Sequence, residues 1–278
     1  MGYLETLMQK AWPFLVGCLL PALAWAQEPP AAQVDAFPAL PRLLWDDTAA
    51  LVRMPGDWGS RQWTGFAWGA AAVLATGLAL DRPVDRAVLR NPSPSLNNAA
   101  RNVAQLGGAG GLVLIGGGYL GSSLLGKDQA RSLWADAGIA TVLARGTAFT
   151  VQLATGRATP SANRGTHAFQ PFSSNDSFPS GHASQAFATA SVIAMHADSP
   201  WVGAAAYGLA GLVGLARLET RDHFTSDVLA GTLLGTAIGR TVVRVNQDRR
   251  QGAGPQAEIS VAPVWGRTYH GLAMTVRF

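Results

Sequence analysis

Ser177-Phe178-Pro179-Ser180-Gly181-His182, running straight into the apolar segment Ala183–Ala197, is the stretch that decides how this chain is read. Pro179 fixes φ, Ser180 has a side chain suited to capping a helix, and Gly181 lets backbone approach a ligand closely. The residues that follow are helix-compatible. The stretch therefore predicts a helix start that carries a histidine and several free backbone N–H groups, a natural site for a phosphate-like anion. An ordinary capped helix with a histidine in its first turn is the plainer reading of the same residues.

A second cluster, one helical hairpin further along, shifts the balance: Ala216-Arg217-Leu218-Glu219-Thr220-Arg221-Asp222-His223-Phe224-Thr225-Ser226-Asp227. Arg217 closes an apolar segment, where the helix dipole favours a cation. Asp227 stands at i+4 from His223 and can reach its imidazole and fix the tautomer if a helix begins nearby. One histidine to attack phosphorus, a second to protonate the leaving oxygen and an arginine to neutralise the equatorial oxygens make a phosphoryl-transfer set. A surface turn of mixed charge is the alternative for this cluster alone.

Together the two clusters resemble the type-2 phosphatidic acid phosphatase family, which includes bacterial acid phosphatases and vanadium haloperoxidases. That family carries Lys, six residues, Arg-Pro; then Pro-Ser-Gly-His; then Ser-Arg, five residues, His, three residues, Asp. Pro179-Ser180-Gly181-His182 matches the second block, and Arg217, His223 and Asp227 match the third, with Ala216 in the serine position. The resemblance covers roughly 62–247 and implies an all-α, six-helix bundle. It implies that His223 becomes phosphorylated, that Asp227 orients it, and that His182 is the general acid. Ser180, Gly181 and Arg217 would hold phosphate oxygens. No cofactor and no metal are implied. His167, His182, His223 and Asp227 are the residues a zinc site could draw on, but their spacing matches no familiar metal signature.

The first block departs from the family. In Gln152-Leu-Ala-Thr-Gly-Arg157-Ala-Thr159-Pro160, Gln152 replaces the lysine and Thr159 the arginine. Both can still donate hydrogen bonds to substrate, but charge-assisted bonds to an oxyanion are about twice as strong. Arg157, Arg145 and Arg164 are the candidates to restore the missing charge, with Arg157 ranked first for its closeness to Thr159. Two functional classes follow. One is an exported phosphatase acting on a phosphomonoester, a lipid phosphate or pyrophosphate among the candidates. The other is a catalytically weakened member that binds phosphate or a lipid head group. A vanadate-dependent haloperoxidase is a third reading, which calls for a well-charged anion pocket.

Composition sets the surroundings. At 48% hydrophobic and 14% charged residues, the chain is rich for a soluble protein and lean for a wholly membrane-embedded one. The net charge of +4 is spread over dispersed arginines, with no basic stripe that would suit nucleic acid. Cys18 is the one cysteine, so downstream disulfides and cysteine-based zinc sites are excluded. Residues 1–26 read as a signal peptide ending in Ala24-Trp25-Ala26, with an uncleaved anchor as the alternative. Residues 27–61 form an irregular lead-in with one short helix near Leu43–Arg53. Six helical segments are expected, at about 63–80, 102–125, 130–154, 182–196, 201–218 and 224–245, the first ended by Asp81-Arg82-Pro83. The long polar loop 156–181 is the kind that is usually functional. Glycines at every fourth position, Gly231, Gly235 and Gly239 above all, suggest helices packed backbone to backbone. The segment 248–278 is a polar linker followed by a terminal β-hairpin. Segments 102–125 and 199–216 are long and apolar enough, or nearly so, to span a bilayer. The expected location is periplasmic or membrane-associated, with a multi-pass inner-membrane protein as the alternative, and the sequence leaves oligomeric state open.

Overall fold

A computed structural model describes residues 40–252, 258–265 and 270–277. The expected signal peptide, and most of the lead-in that follows it, lie outside the described residues. Nine α-helices are present among the described residues: α1 (Leu40–Arg53), α2 (Ser60–Ala79), α3 (Asp81–Arg90), α4 (Pro94–Ala104), α5 (Ala109–Leu124), α6 (Asp128–Thr155), α7 (Gly181–His196), α8 (Pro200–Glu219) and α9 (Thr225–Arg250). The six expected segments become nine: the short lead-in helix is present as α1, α3 is added where the first segment was expected to end, and the second segment is divided into α4 and α5. Asp81-Arg82-Pro83 does not end helical structure. It opens α3, because proline is tolerated in a first turn where its missing N–H has no partner to lose. The second expected helix breaks at Gln105–Gly107, a turn of 3-10 helix. The axes of α2 and α3 bend by 45°, and those around the second break by 44°.

The chain divides into two compact units at Val243 and Arg244. In the first, α7 lies at the centre. On one side its Ala188 and Val192 join Trp134, Ile139, Ala140 and Ala144 of α6 and Ile238, Val242 and Val243 of α9 in the main core. On the other side Ala186 and Ala190 meet Ala210 and Val213 of α8. Small residues dominate these contacts, so helices approach closely. A methyl group on Gly231, Gly235 or Gly239 would lie 2.5, 2.1 or 2.5 Å from the carbonyl oxygen of Ser180 just before α7, or of Ser184 or Ala188 within it. The every-fourth-residue glycines are thus the seam along which α9 lies on α7. In the second unit, β1 (Glu258–Trp265) and β2 (His270–Arg277) pair antiparallel, with Glu258 opposite Arg277 and Trp265 opposite His270.

Among the described residues two helices, α8 and α9, are long and apolar enough to cross a membrane, and each bent pair adds one more if counted as a single span. Helix α2 buries none of its twenty residues and exposes Trp63, Phe66, Trp68, Leu74 and Leu78. Helix α8 exposes Trp201, Leu212 and Leu215. Contiguous apolar surface on this scale marks a face that meets lipid or protein and not water.

The α7–α9 seam gives a direct test. Gly235→Ala forces a methyl into the Ser184 carbonyl and should cost roughly 1–3 kcal/mol by overpacking. Gly116→Ala in α5, where nothing lies within 4 Å, should be neutral or stabilising by up to about 1 kcal/mol through helix propensity. In the same detergent the apparent melting temperature of Gly235→Ala should fall below that of the wild type and that of Gly116→Ala should not.

Candidate active site

One end of the first unit gathers the polar residues. Helix α6 stops there because Gly156 takes the left-handed conformation (φ 55°). No side chain fits at that position, since a Cβ would lie 1.7 Å from the Gln170 carbonyl oxygen. The chain then crosses the loop to Ser180, whose hydroxyl accepts from the Ala183 N–H at 3.4 Å and caps α7. The Ser180 N–H donates to the Asp227 carbonyl at 2.9 Å, tying this helix start to the first turn of α9.

His223 occupies the turn between α8 and α9 and is only 6% exposed. Its Nδ1 lies 2.7 Å from the Ser177 carbonyl oxygen. A carbonyl can only accept, so Nδ1 carries the proton and Nε2 holds the free lone pair. Burial, with the Arg217 cation beside it, pushes this imidazole down to about 3, against the opposing pull of the Ser177 carbonyl. His182, in the first turn of α7, is lowered to about 4 by burial and then by Arg217 and Arg145. Both rings are therefore neutral at pH 7 in the unliganded protein. His182 rests on the break before α5, where a methyl group on Gly108 would meet its Nε2 at 3.0 Å. The glycine-rich segment thus packs against the site, as a packing element and not a nucleotide loop.

Asp227 requires a correction. Among the described residues its carboxylate makes no bond to His223. It accepts from Ser177 Oγ at 2.6 Å, from the Phe224 N–H at 2.8 Å and from Arg157 Nη1. The reason is helical: Asp227 sits in the first turn of α9, where its carboxylate caps the orphan N–H of Phe224. Its influence on the imidazole passes through Ser177, which it holds by the hydroxyl and whose carbonyl holds the ring.

Arg157 is corrected as well. It is not available as a phosphate-binding cation, because every donor on its guanidinium is engaged. Nη1 reaches Ser226 Oγ (2.8 Å) and Asp227; Nη2 reaches Asp81 (2.7 Å) and the Thr166 carbonyl (2.6 Å); Nε reaches the same carbonyl at 3.2 Å. Phe224 stacks on it at 4.4 Å. Asp81, fully buried, also accepts from the Ser226 N–H (2.8 Å) and hydroxyl (2.6 Å). Asp81 and Ser177 were not among the expected site residues. An acid beside Pro83 reads as a helix terminator, and nothing local to it signals a partner so far along the chain.

The other expected residues fall as follows. Gln152 is buried next to the motif, its amide donating to the Pro179 carbonyl at 2.8 Å while its oxygen has no hydrogen-bond partner among the described residues. Thr159 pairs with the Ser161 hydroxyl at 3.0 Å and Arg164 is exposed. Arg217 bonds Asp222 through Nη1 at 3.0 Å, and its Nε is buried without a hydrogen-bond partner among the described residues. Gly181 makes room for Arg145, whose Nη1 lies 1.8 Å from where a Cβ would stand. A cavity of about 270 Å³ opens over the site, lined by Arg101, Ala104 and Gln105 on one side and His182, Arg217, Thr220 and Asp222 on the other. His182 and Arg217 line this cavity, and His223 and Arg145 lie within electrostatic reach of them, a set of groups that suits a nucleophile and an acid acting on an oxyanion.

The profile of the PAP2 superfamily matches residues 135–251. A lipid A 1-phosphatase from Porphyromonas gingivalis is 38% identical over 66 residues, which are 23% of this chain and 15% of that protein. The chain thus spans about a seventh of that relative's length. Among solved structures, Aquifex aeolicus LpxE is similar over 59% of this chain and 94% of its own, at 23% identity and a TM-score of 0.44. A transmembrane PAP2-type phosphatidylglycerolphosphate phosphatase from Bacillus subtilis is similar over 66% of this chain and 94% of its own, at 24% identity and a TM-score of 0.46.

Two outcomes are expected from the site's electrostatics. Asp81→Ala leaves Arg157 without one of its carboxylates and should cost about 3–5 kcal/mol, read as a fall in apparent melting temperature. The two histidines titrate near the ordinary value of 6.5 when unfolded but only at about 3 and 4 when folded. The unfolded chain therefore binds more protons between those limits. Stability should be full above pH 6.5 and fall as pH drops toward 4. Melting in buffers from pH 7.5 to 4.5 should show this slope, and His223→Gln should flatten it.

Proposed function

We propose that this chain, whose residues 135–251 match the PAP2 superfamily, is a membrane-associated phosphatase that removes phosphate from a lipid phosphate monoester. The observation that carries this reading is the tautomer of His223. With Nδ1 donating to Ser177, Nε2 is a free nucleophile facing the same charges that surround His182. Nε2 attacks phosphorus, the bond from phosphorus to the lipid oxygen breaks, and His182 gives that oxygen its proton. A dianionic ester bound beside His182 and Arg217 supplies the negative charge that protonates His182 despite its low value in the unliganded protein. Water then attacks the phosphohistidine, His182 takes the water's proton, and inorganic phosphate leaves with Nε2 restored.

Arg217 and the backbone N–H groups of Gly181 and His182 neutralise the equatorial oxygens. The remainder of the cavity, with Arg101 and Gln105 on its far wall, accommodates the part of the head group next to the phosphate. The candidate spans support a lipid substrate: α8 ends at Glu219 and α9 begins at Thr225, so the catalytic turn sits at one end of both. The name of the Porphyromonas gingivalis relative points to the same substrate class.

The test is release of inorganic phosphate by the purified full chain from phosphatidate in mixed micelles and from a water-soluble aryl phosphate. Turnover should favour phosphatidate and persist in EDTA, since no step uses a metal. His223→Ala should abolish it, and His182→Ala should lower kcat by about 10²–10⁴-fold, the range for general acid catalysis. Equal release by wild type and His223→Ala would leave a phosphate- or head-group-binding member of the fold.

A further inference from the structure

We infer that Arg145 is the substrate-binding cation that this chain uses in place of the family lysine at Gln152, an inference that rests on the phosphatase reading above. Gln152 and Arg145 are seven residues apart on α6. Seven residues turn a helix through almost two full revolutions, about 700°, so the two share a face, separated by a rise of about 10 Å. That face is the buried one, marked by Thr141, Ala144, Ala148 and Gln152. Ala148, between them, is fully buried and small, so it does not block the longer side chain.

The guanidinium of Arg145 ends on the catalytic loop. Nη1 and Cζ lie 1.8 and 2.9 Å from the position a Gly181 Cβ would occupy. The glycine of the motif is therefore needed to admit this arginine at the first residue of α7, where free N–H groups also point. The charge of Arg145 acts on His182, His223 and Arg217 together. Among the described residues it has neither an acidic partner nor a hydrogen bond, while Arg217 holds one carboxylate, Asp222, and keeps Nε unpartnered. Two arginines with one bonded carboxylate, beside buried neutral imidazoles, leave a surplus of positive charge and donors for an oxyanion to satisfy.

The alternatives are occupied elsewhere. Arg157 is locked between Asp81 and Asp227, and Arg164 stands exposed in the loop. The neutral residue at 152 is then a consequence of moving the cation. A lysine there would share a helix face with Arg145, whereas the Gln152 amide instead holds the loop by donating to the Pro179 carbonyl.

The test uses the full chain in detergent and two readouts: turnover of phosphatidate, and binding of orthovanadate, a phosphate-shaped oxyanion, by calorimetry. Arg145→Ala should weaken orthovanadate binding about 10- to 100-fold, the loss expected for a charged hydrogen-bond donor. Arg145→Lys should restore most of it, and adding Gln152→Lys to Arg145→Gln should regain at least about tenfold, because charge returns at the family position. Arg164→Ala should bind as wild type. Arg145→Ala binding within about twofold of wild type, or no gain from Gln152→Lys, would overturn the assignment while leaving the phosphatase reading standing. A wild type that binds orthovanadate in an Arg145-dependent way yet releases no phosphate would overturn the phosphatase reading and keep the assignment to anion binding. A wild type that binds no orthovanadate would overturn both. Melting curves of each variant separate loss of binding from loss of fold.

Discussion

A buried arginine between two buried carboxylates holds this structure's functional end together. Arg157 is 4% exposed, Asp81 1% and Asp227 not at all, so none of the three charges can rely on water. Taking such ions out of water costs several kcal/mol each, and only close pairing with full hydrogen bonding offsets that cost. The geometry meets the condition. Arginine presents five donors in a rigid fork, and here they reach both carboxylates, the Ser226 hydroxyl and the Thr166 carbonyl. Because those groups come from the α2–α3 junction, the long loop and α9, one side chain fixes three separate stretches of chain. Ser177 then transmits the result to the imidazole, through a hydroxyl bonded to Asp227 and a carbonyl bonded to His223.

The same constraint divides labour among the arginines. One that is fully paired serves the scaffold, and a cation meant for substrate must stay incompletely paired. Arg157 belongs to the first kind, while Arg217, with its partnerless Nε, and Arg145 belong to the second. Helix breaks follow the same economy of position. The bend at Asp81 delivers a carboxylate to Ser226, and the bend after Gly107 brings Gly108 against His182. Straight helices would carry both positions past the site. Arg221 adds a brace, its guanidinium bonding Asp85 of α3 at 2.8 Å and the Pro160 carbonyl at 2.8 Å.

What the sequence revealed was whatever is local. The cap at Ser180, the helix start at Gly181 and the glycine rows of α9 depend on neighbours within a few residues, and each is where its residues indicate. The pairing of His182 with His223 and Arg217 was legible through two motifs in order. The partner of a buried charge was not. Arg157 looked like a cation near a phosphate motif, and only the fold shows Asp81 waiting for it from 76 residues away. Asp227 at i+4 from His223 was reachable in principle, but its helix N-terminus and Ser177 compete for the same oxygens and win. The helix that starts at Asp81 and the break within the second expected helix escaped notice because Pro83 and Gly107 are compatible with either a stop or a bend, and tertiary contact decides between them.

The central claim is that His223, held by Ser177, is the group that carries phosphate. Its most direct test is to quench the full chain with ³²P-labelled phosphatidate in alkali, digest it and locate the label. The expected result is an alkali-stable, acid-labile phosphate on the peptide containing His223, absent in His223→Ala. Label on another residue, or turnover with no label trapped under any quench, would contradict the account.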